Sequence, residues 1–342
     1  MERIRFGKTE RMVARTGFGC LPIQRVDFDA ARAMLRRAYE AGINLFDTAR
    51  AYSDSEEKLG YALHDVRSEI IIATKTGART GAELEAQLET SLKNLKTDYI
   101  DIYQFHNPSF LPQPGGDDGL YDAALRAKAA GKIRHIGITN HSIELAFQAV
   151  ESGLYETLQF PFNHLSTKRE IELVERCAQA DIGFLCMKGM SGGLVTNAKL
   201  PFSFIRQYEI ALPIWGVQRM EELEEFIEYE KNPPAITDEL MREIEADRRA
   251  LSGAFCRGCG YCLPCPVEIP IQNANRMREL LLRSPAQNWL THEWRAGMER
   301  IEDCTHCGLC ETRCPYGLKP YETMPAQLEF YRAFERARVS SV

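Results

Sequence analysis

The chain has 342 residues, 44% hydrophobic and 26% charged, with a formal net charge of −6. These values fit a globular protein with room for one large domain and a small one. The acidic balance gives a nucleic-acid partner no electrostatic footing, and no apolar run approaches the ~18 residues that a membrane span requires.

Met1 to Arg15 is charged and lacks the apolar core of a secretory signal. Together with 11 cysteines, this points to a reducing cytoplasm. Arg3–Phe6, Gly7–Lys8 and Met12–Ala14 read as a hairpin. From Thr16 to about Glu230, short β-branched or apolar runs alternate with amphipathic ones. Strands are expected at Thr16–Cys20, Ile43–Asp47, Ile70–Lys75, Tyr99–His106, Ile133–Thr139, Thr157–Pro161, Ile182–Met187 and Ile210–Ile214. Helical periodicity marks Asp29–Glu40, Ala82–Leu95, Leu120–Ala130, Ile143–Glu151, Lys168–Gln179 and Met220–Glu228. This β/α alternation predicts a (β/α)8 TIM barrel, with the hairpin capping its floor. A doubly wound α/β sheet is the competing architecture, but no G-x-G-x-x-G follows an early strand.

Catalytic groups of a barrel lie at the C-terminal ends of its strands. Asp47 ends the second expected strand, Lys75 the third and His106 the fourth, and Tyr52 follows Asp47 in the next loop. Singly, each has an ordinary role as helix cap, solvated lysine, loop histidine or packing tyrosine. Successive strand ends bring all four to one side of one rim, which the ordinary roles do not explain.

Asn232-Pro233-Pro234 closes this region, since paired prolines do not continue a helix. It divides the chain into domains 1–231 and 236–342. A helix from Asp238 to Leu251 leads into two cysteine runs. One is Cys256-x2-Cys259-x2-Cys262-x2-Cys265-Pro266 and the other Cys304-x2-Cys307-x2-Cys310-x3-Cys314-Pro315. Each run matches the ligand spacing of a [4Fe–4S] cluster. Zinc would need only two C-x2-C pairs per ion, held apart by a longer loop, and disulfides do not suit a reducing compartment. In two-cluster ferredoxins the fourth cysteine of each run serves the other cluster. That pattern assigns Cys256, Cys259, Cys262 and Cys314 to one cluster and Cys304, Cys307, Cys310 and Cys265 to the other. The x2 before Cys265 departs from it by one residue. Ile271–Arg283 and Asn288–Ile301 have helical spacing, so this part resembles a helical ferredoxin-like domain.

Several of these residues resemble the aldo-keto reductase family. They are the run Asn44–Glu56 with Asp47 and Tyr52, Ala73–Lys75, Tyr103–His106, Gly131–Asn140, and Gln159. The likeness covers roughly residues 3–230, and the whole chain resembles the branch with a C-terminal two-cluster ferredoxin-like domain. It implies a carbonyl–alcohol oxidoreductase using NAD(P)H. Tyr52 would be the general acid, and His106 would orient the carbonyl. A free phenol has a pKa near ~10, so Lys75, held by Asp47, would be needed to lower it.

The resemblance further implies that Thr139, Asn140 and Gln159 hold a nicotinamide carboxamide. Loops after the seventh and eighth strands form the phosphate site of many barrels. Here they contain Lys188, Gly189, Gly192 and Gly193, then Gly216 and Arg219. Met187 stands where the family usually has a tyrosine stacked on nicotinamide, Lys188 where a small polar residue is common, and Phe226 where an asparagine meets adenine. These departures leave weak NADPH binding, an NADH preference or another occupant open. The substrate is a small carbonyl or alcohol of unspecified identity, with Phe110, Leu111 and Trp215 as an expected apolar wall. Cys20, Cys177 and Cys186 are expected in the core.

Hydride and single-electron chemistry do not exchange directly without a carrier such as flavin. Three arrangements follow. In the first, the barrel reduces its substrate with NAD(P)H while the clusters are structural or regulatory. In the second, the clusters relay electrons from ferredoxin or another electron-transfer protein to a flavin or substrate at the rim. The third is a non-catalytic redox sensor or electron carrier, against which the intact four-residue set argues.

Overall fold

The computed structural model describes residues 1–251, 255–283 and 285–339; the expected limit of the second domain at residue 342 lies outside them. The chain opens with β1 (Arg3–Arg5) paired antiparallel to β2 (Met12–Ala14), Ile4 opposite Val13. Eight parallel strands follow: β3 (Gly17–Gly19), β4 (Leu45–Asp47), β5 (Ile71–Thr76), β6 (Ile100–His106), β7 (Ile133–Thr139), β8 (Thr157–Pro161), β9 (Gly183–Met187) and β10 (Ala211–Gly216). They form a closed barrel in chain order, with β10 returning to β3. The expected strands are all present. β10 runs two residues past its expected end, so Trp215 and Gly216 are strand residues and not loop residues.

The barrel helices are α1 (Phe28–Glu40), α2 (Ser55–Leu63), α3 (Gly81–Leu95), α4 (Leu120–Ala129), α5 (Ile143–Ser152), α6 (Lys168–Gln179), α7 (Lys199–Ile205) and α8 (Met220–Lys231). Their starts are written locally: Asp27, Thr80 and Ser142 accept from the third N–H beyond them. Sequence periodicity missed α2 and α7 for opposite reasons. α2 buries Glu56 and Lys58 among its apolar residues, and α7 is buried from Leu200 to Ile205. Neither therefore shows a polar and an apolar stripe.

The hairpin closes the barrel floor. Phe6 and Val13 are buried in one cluster with Leu45, Ile71, Ala73, Ile102, Leu185, Leu212 and Ile214. Gly183 makes room for the plug, since a Cβ there would lie 2.8 Å from the Phe6 ring. Burying Phe6 stabilises the barrel by roughly 1.5–3 kcal/mol.

The chain forms two compact units, one of Met1–Gly189 with Lys199–Met241, the other of Met190–Ala198 with Arg242 onward. The division after Met241 falls inside α9 (Asp238–Ala250), beyond the paired prolines. The described residues of the second unit contain no strand. Its helices are α10 (Ile271–Ala274), α11 (Met277–Arg283), α12 (His292–Glu299), α13 (Leu309–Thr312) and α14 (Pro320–Val339). They bury Ile271, Met277, Leu280, Met298, Met324 and Tyr331 around Leu194. The Tyr331 hydroxyl donates to the Trp289 carbonyl at 2.8 Å. No helix among the described residues is long and apolar enough to cross a membrane.

Candidate functional site

Parallel register brings the four expected site residues to one rim. Asp47 pairs with Ala73, Lys75 with Gln104, and His106 with Thr139, which puts the polar side chains near the C-terminal ends of β4, β5 and β6. Lys75 Nζ donates to Asp47 Oδ1 and to the Thr48 carbonyl, both at 2.6 Å. Only 1% of the Lys75 and 3% of the Asp47 side chain is exposed. Asp47 also accepts from Gln104 Nε2 at 3.3 Å and Gln159 Nε2 at 3.4 Å. Burial raises the Asp47 pKa, opposed by Lys75 and by these two amides. Sequence reasoning missed Gln104 in this role. The signal was available: Gln104 lies two residues before His106, on the same face of β6.

The Lys75 ammonium lies 5.1 Å from the centre of the Tyr52 ring. The Tyr52 and His106 rings meet edge to face, 5.8 Å apart at 83°. The loop carrying Tyr52 is fastened at several points. Arg50 N–H donates to the Lys75 carbonyl at 3.0 Å. The Arg50 guanidinium pairs with buried Glu56, and Glu56 accepts from the Thr74 hydroxyl at 2.7 Å. Ser55 donates to the Cys20 carbonyl at 2.9 Å. Neither the Tyr52 hydroxyl nor the His106 ring has a hydrogen-bond partner among the described residues, so both are available to a ligand.

Electrostatics corrects one expectation. Lys75 does not bring the phenol down. Although Tyr52 is half-buried by surface area, burial leads, and with Asp47 and Cys20 it pushes the Tyr52 pKa above its ordinary value. The ammonium is answered at 2.6 Å by Asp47, so its pull on the phenol does not overcome burial and the nearby carboxylate. Tyr52 therefore holds its proton firmly. His106 moves the other way: burial and the Lys75 charge lower its pKa to about 3. It is a neutral imidazole at physiological pH, with one N–H to donate.

The expected nicotinamide residues divide. Gln159 donates to Asp47, which fixes its amide orientation, and its Oε1 is buried without a partner. That orphaned acceptor fits the N–H of a carboxamide. The Thr139 hydroxyl oxygen accepts from Asn107 N–H at 3.0 Å and keeps its own O–H to offer. Asn140 is already engaged at both ends, donating to the Pro108 carbonyl at 3.1 Å and accepting from Ser142 N–H at 2.6 Å. Met187 is half-buried at the end of β9, and the Lys188 carbonyl accepts from Asn163 at 2.8 Å.

The expected phosphate residues fall in both units. Gly192 and Gly193 belong to the second unit, where the Gly192 carbonyl accepts from Arg276. Arg219 precedes α8 and binds Glu222 through Nη2 at 2.6 Å and Nε at 2.9 Å. Gly216 is exposed. Gly189 has a packing role: a Cβ there would lie 2.3 Å from the Trp215 ring. Trp215 is buried and stacks on Phe226 with ring centres 4.2 Å apart at 10°, so it is core and not an exposed wall. Cys20, Cys177 and Cys186 are buried as expected.

In the second unit the thiols ring two cavities. Cys256, Cys259, Cys262 and Cys314 line one. Cys265, Cys304, Cys307 and Cys310 line the other, and Cys262 lines both. The fourth cysteine of each run thus faces the cavity of the other run. No three His, Cys, Asp or Glu among the described residues converge on one metal-ion position. Thiols ringing a cavity fit a cubane cluster and not a lone zinc, whose four sulfurs stand ~2.3 Å from one centre.

The family model for the aldo/keto reductase family matches residues 15–207, more than half of the chain. The chain belongs to the aldo/keto reductase family. A model described as a 4Fe-4S dicluster domain matches residues 255–319, so this aldo/keto reductase carries an iron–sulfur domain after its barrel. Aldo-keto reductase YhdN of Bacillus subtilis is 36% identical over 179 residues, 48% of this chain and 53% of that protein. The chain thus spans about half the length of that relative. The NADH-specific methylglyoxal reductase of Escherichia coli is 27% identical over 227 residues, 58% of this chain and 70% of that protein. Among solved structures, an aldo-keto reductase from Klebsiella pneumoniae in complex with NADPH matches with a TM-score of 0.63 at 21% identity, over 72% of this chain and 95% of that one. The reductase barrel is therefore the shared fold.

Proposed function

We propose that this aldo/keto reductase interconverts a small carbonyl compound and its alcohol at Tyr52, His106, Lys75 and Asp47. The observation that carries the reading is the Tyr52 hydroxyl. It has no hydrogen bond among the described residues, sits beside the buried Lys75–Asp47 pair and shares the rim with the His106 ring. NAD(P)H, named with the Klebsiella structure as NADPH and with the Escherichia coli relative as NADH, would supply the hydride when bound. Gln159 and Thr139 would hold its carboxamide through the groups the chain leaves open.

The residues act as follows. The neutral His106 donates its N–H to the carbonyl oxygen and fixes its direction. Tyr52 gives its phenolic proton to that oxygen as negative charge gathers there. The phenolate left behind is met by the Lys75 ammonium, which Asp47 and the Thr48 carbonyl keep in place. Solvent then returns a proton to Tyr52. Removing the phenolic proton should cost roughly 10²–10⁴-fold in rate. Tyr52→Phe should thus lose carbonyl reduction, assayed with NADH and NADPH on a panel of small carbonyls, while keeping its iron content and fold. Near-normal turnover would remove Tyr52 from this role.

The two thiol-lined cavities support two [4Fe–4S] clusters, one held by Cys256, Cys259, Cys262 and Cys314, the other by Cys265, Cys304, Cys307 and Cys310. A second reading, in which single electrons enter through these clusters, has one observation in its favour. Asn140 and Arg219, expected on the nicotinamide and its phosphates, are both engaged by the chain itself. Anaerobic stopped-flow mixing separates the readings. Cluster bleaching by reduced ferredoxin but not by NAD(P)H favours the relay, and substrate turnover with NAD(P)H alone excludes it as a requirement.

A further inference from the structure

Arg276 stands between α10 and α11 and is 7% exposed. Its Nη1 donates to the Ser191 carbonyl at 3.4 Å and its Nη2 to the Gly192 carbonyl at 3.1 Å. Its Nε is buried without a hydrogen-bond partner. The guanidinium is seated between two glycine backbones. A Cβ at Gly258 would lie 2.5 Å from Nη1, and one at Gly192 would lie 2.9 Å from the same atom. Both glycines have positive φ, 60° and 66°, so neither place readily accepts a side chain. Gly258 is inside the loop between Cys256 and Cys259.

A buried cation without a carboxylate is costly unless another negative charge answers it. Two carbonyl dipoles meet part of that cost. The remainder points at the thiol cavity next to it. A cubane held by four thiolates carries about −2 when oxidised and about −3 after one electron, and its potential follows nearby charge and burial. Arg257 also lines this first cavity, whereas the second has no arginine or lysine in its lining. The two differ in exposure: the Arg257 guanidinium lies over the Tyr316 ring on a half-buried loop, while Arg276 is buried and less screened by solvent.

We propose that Arg276 raises the reduction potential of the cluster held by Cys256, Cys259, Cys262 and Cys314 above that of its neighbour, so that the first electron entering this unit settles there. The proposal rests on the two-cluster reading above. The step moves one electron from a one-electron donor of the reduced-ferredoxin class, which is oxidised, to that cluster, taking [4Fe–4S]2+ to [4Fe–4S]1+, and breaks no bond. The two clusters are then unequal by construction: one is a resting place for an electron, the other a point of passage.

The test is an anaerobic redox titration followed by electron paramagnetic resonance on the full chain. Iron and sulfide are measured first. About eight of each per chain is the content of two [4Fe–4S] clusters, and less than this refutes the two-cluster reading and the proposal with it. Wild type should then show two one-electron waves at least tenfold apart in equilibrium constant, about 59 mV. A single unsplit transition overturns the proposal. Arg276→Gln should lower the upper wave by about tenfold or more (59 mV per tenfold), leaving the lower wave within about threefold. An unmoved upper wave, or both waves moving together, overturns it. Arg276→Lys keeps the charge and should hold the upper wave within about threefold of wild type. Should the glutamine variant fail to load its clusters, this variant decides: a tenfold fall despite the retained charge sinks the proposal.

Discussion

Replacing Lys75 with methionine isolates the charge, since methionine keeps an unbranched apolar stem. The ammonium lies 5.1 Å from the Tyr52 ring centre. At an effective dielectric near ~20, a unit charge at that range favours a phenolate by about 3 kcal/mol. That corresponds to roughly 10²-fold in rate, at about 1.4 kcal/mol per tenfold. The stability cost should be smaller than the ~3–5 kcal/mol usual for breaking a buried pair. The reason is Asp47, whose pKa burial has already raised. Without Lys75 it can take up a proton and donate or accept within the Gln104 and Gln159 amides. The assay is steady-state turnover of one small carbonyl with NAD(P)H, alongside thermal unfolding and iron content. We expect kcat to fall about 10²-fold with little change in KM. Carbonyl reduction and alcohol oxidation should fall by the same factor, because both directions cross one transition state. A folded, iron-replete Lys75→Met protein within about threefold of wild-type kcat would refute the argument.

The folded pKa of His106, about 3, lies below the ~6.5 of an unfolded histidine. Its stabilising contribution is thus fully present above ~6.5 and is lost as pH falls toward the folded value. Between about pH 5 and 8 the imidazole stays neutral, so kcat/KM should show no acid limb from it. An apparent pKa near ~6.5 in wild type would contradict this, whereas Lys75→Met, lacking one depressing charge, should move the limb upward. At the other end of the barrel, Phe6→Ala should cost about 3–5 kcal/mol and lower Tm while leaving KM unchanged. A loss below about 1 kcal/mol would show that the hairpin does not plug the floor.

The fold was legible because the barrel repeats one local rule, and strand after strand carried its own β-branched or apolar run. Asp47, Lys75 and His106 were legible for the same reason: strand ends are visible in a sequence, and barrel geometry converts them into a rim. What escaped depends on distance. The expected phosphate loop from Lys188 to Gly193 is divided between the units: Gly189 packs on Trp215, while Gly192 belongs to the second unit. The Arg276 contact with Ser191 spans 85 residues, and no local pattern announces it. For Arg219 the sequence does show a competitor, since Glu222 three residues on, at a helix start, pairs with its guanidinium. The sign of the Tyr52 shift required the full set of neighbours, because burial and a carboxylate together outweigh one ammonium.

The excursion of Met190–Ala198 into the second unit makes the two units inseparable by a single cut. Cleavage after Met241 would leave Leu194, fully buried in the helical core, on the barrel fragment. The helical fragment would then have a hole worth roughly 1.5–3 kcal/mol of lost burial, and Arg276 would lose the Ser191 and Gly192 carbonyls. The polypeptide is stitched rather than strung: β9 and α7 are joined by a thread that passes through the helical core. Trimming the chain after Met241 would therefore leave Met190–Ala198, a piece of the iron–sulfur unit, inside the barrel's own sequence.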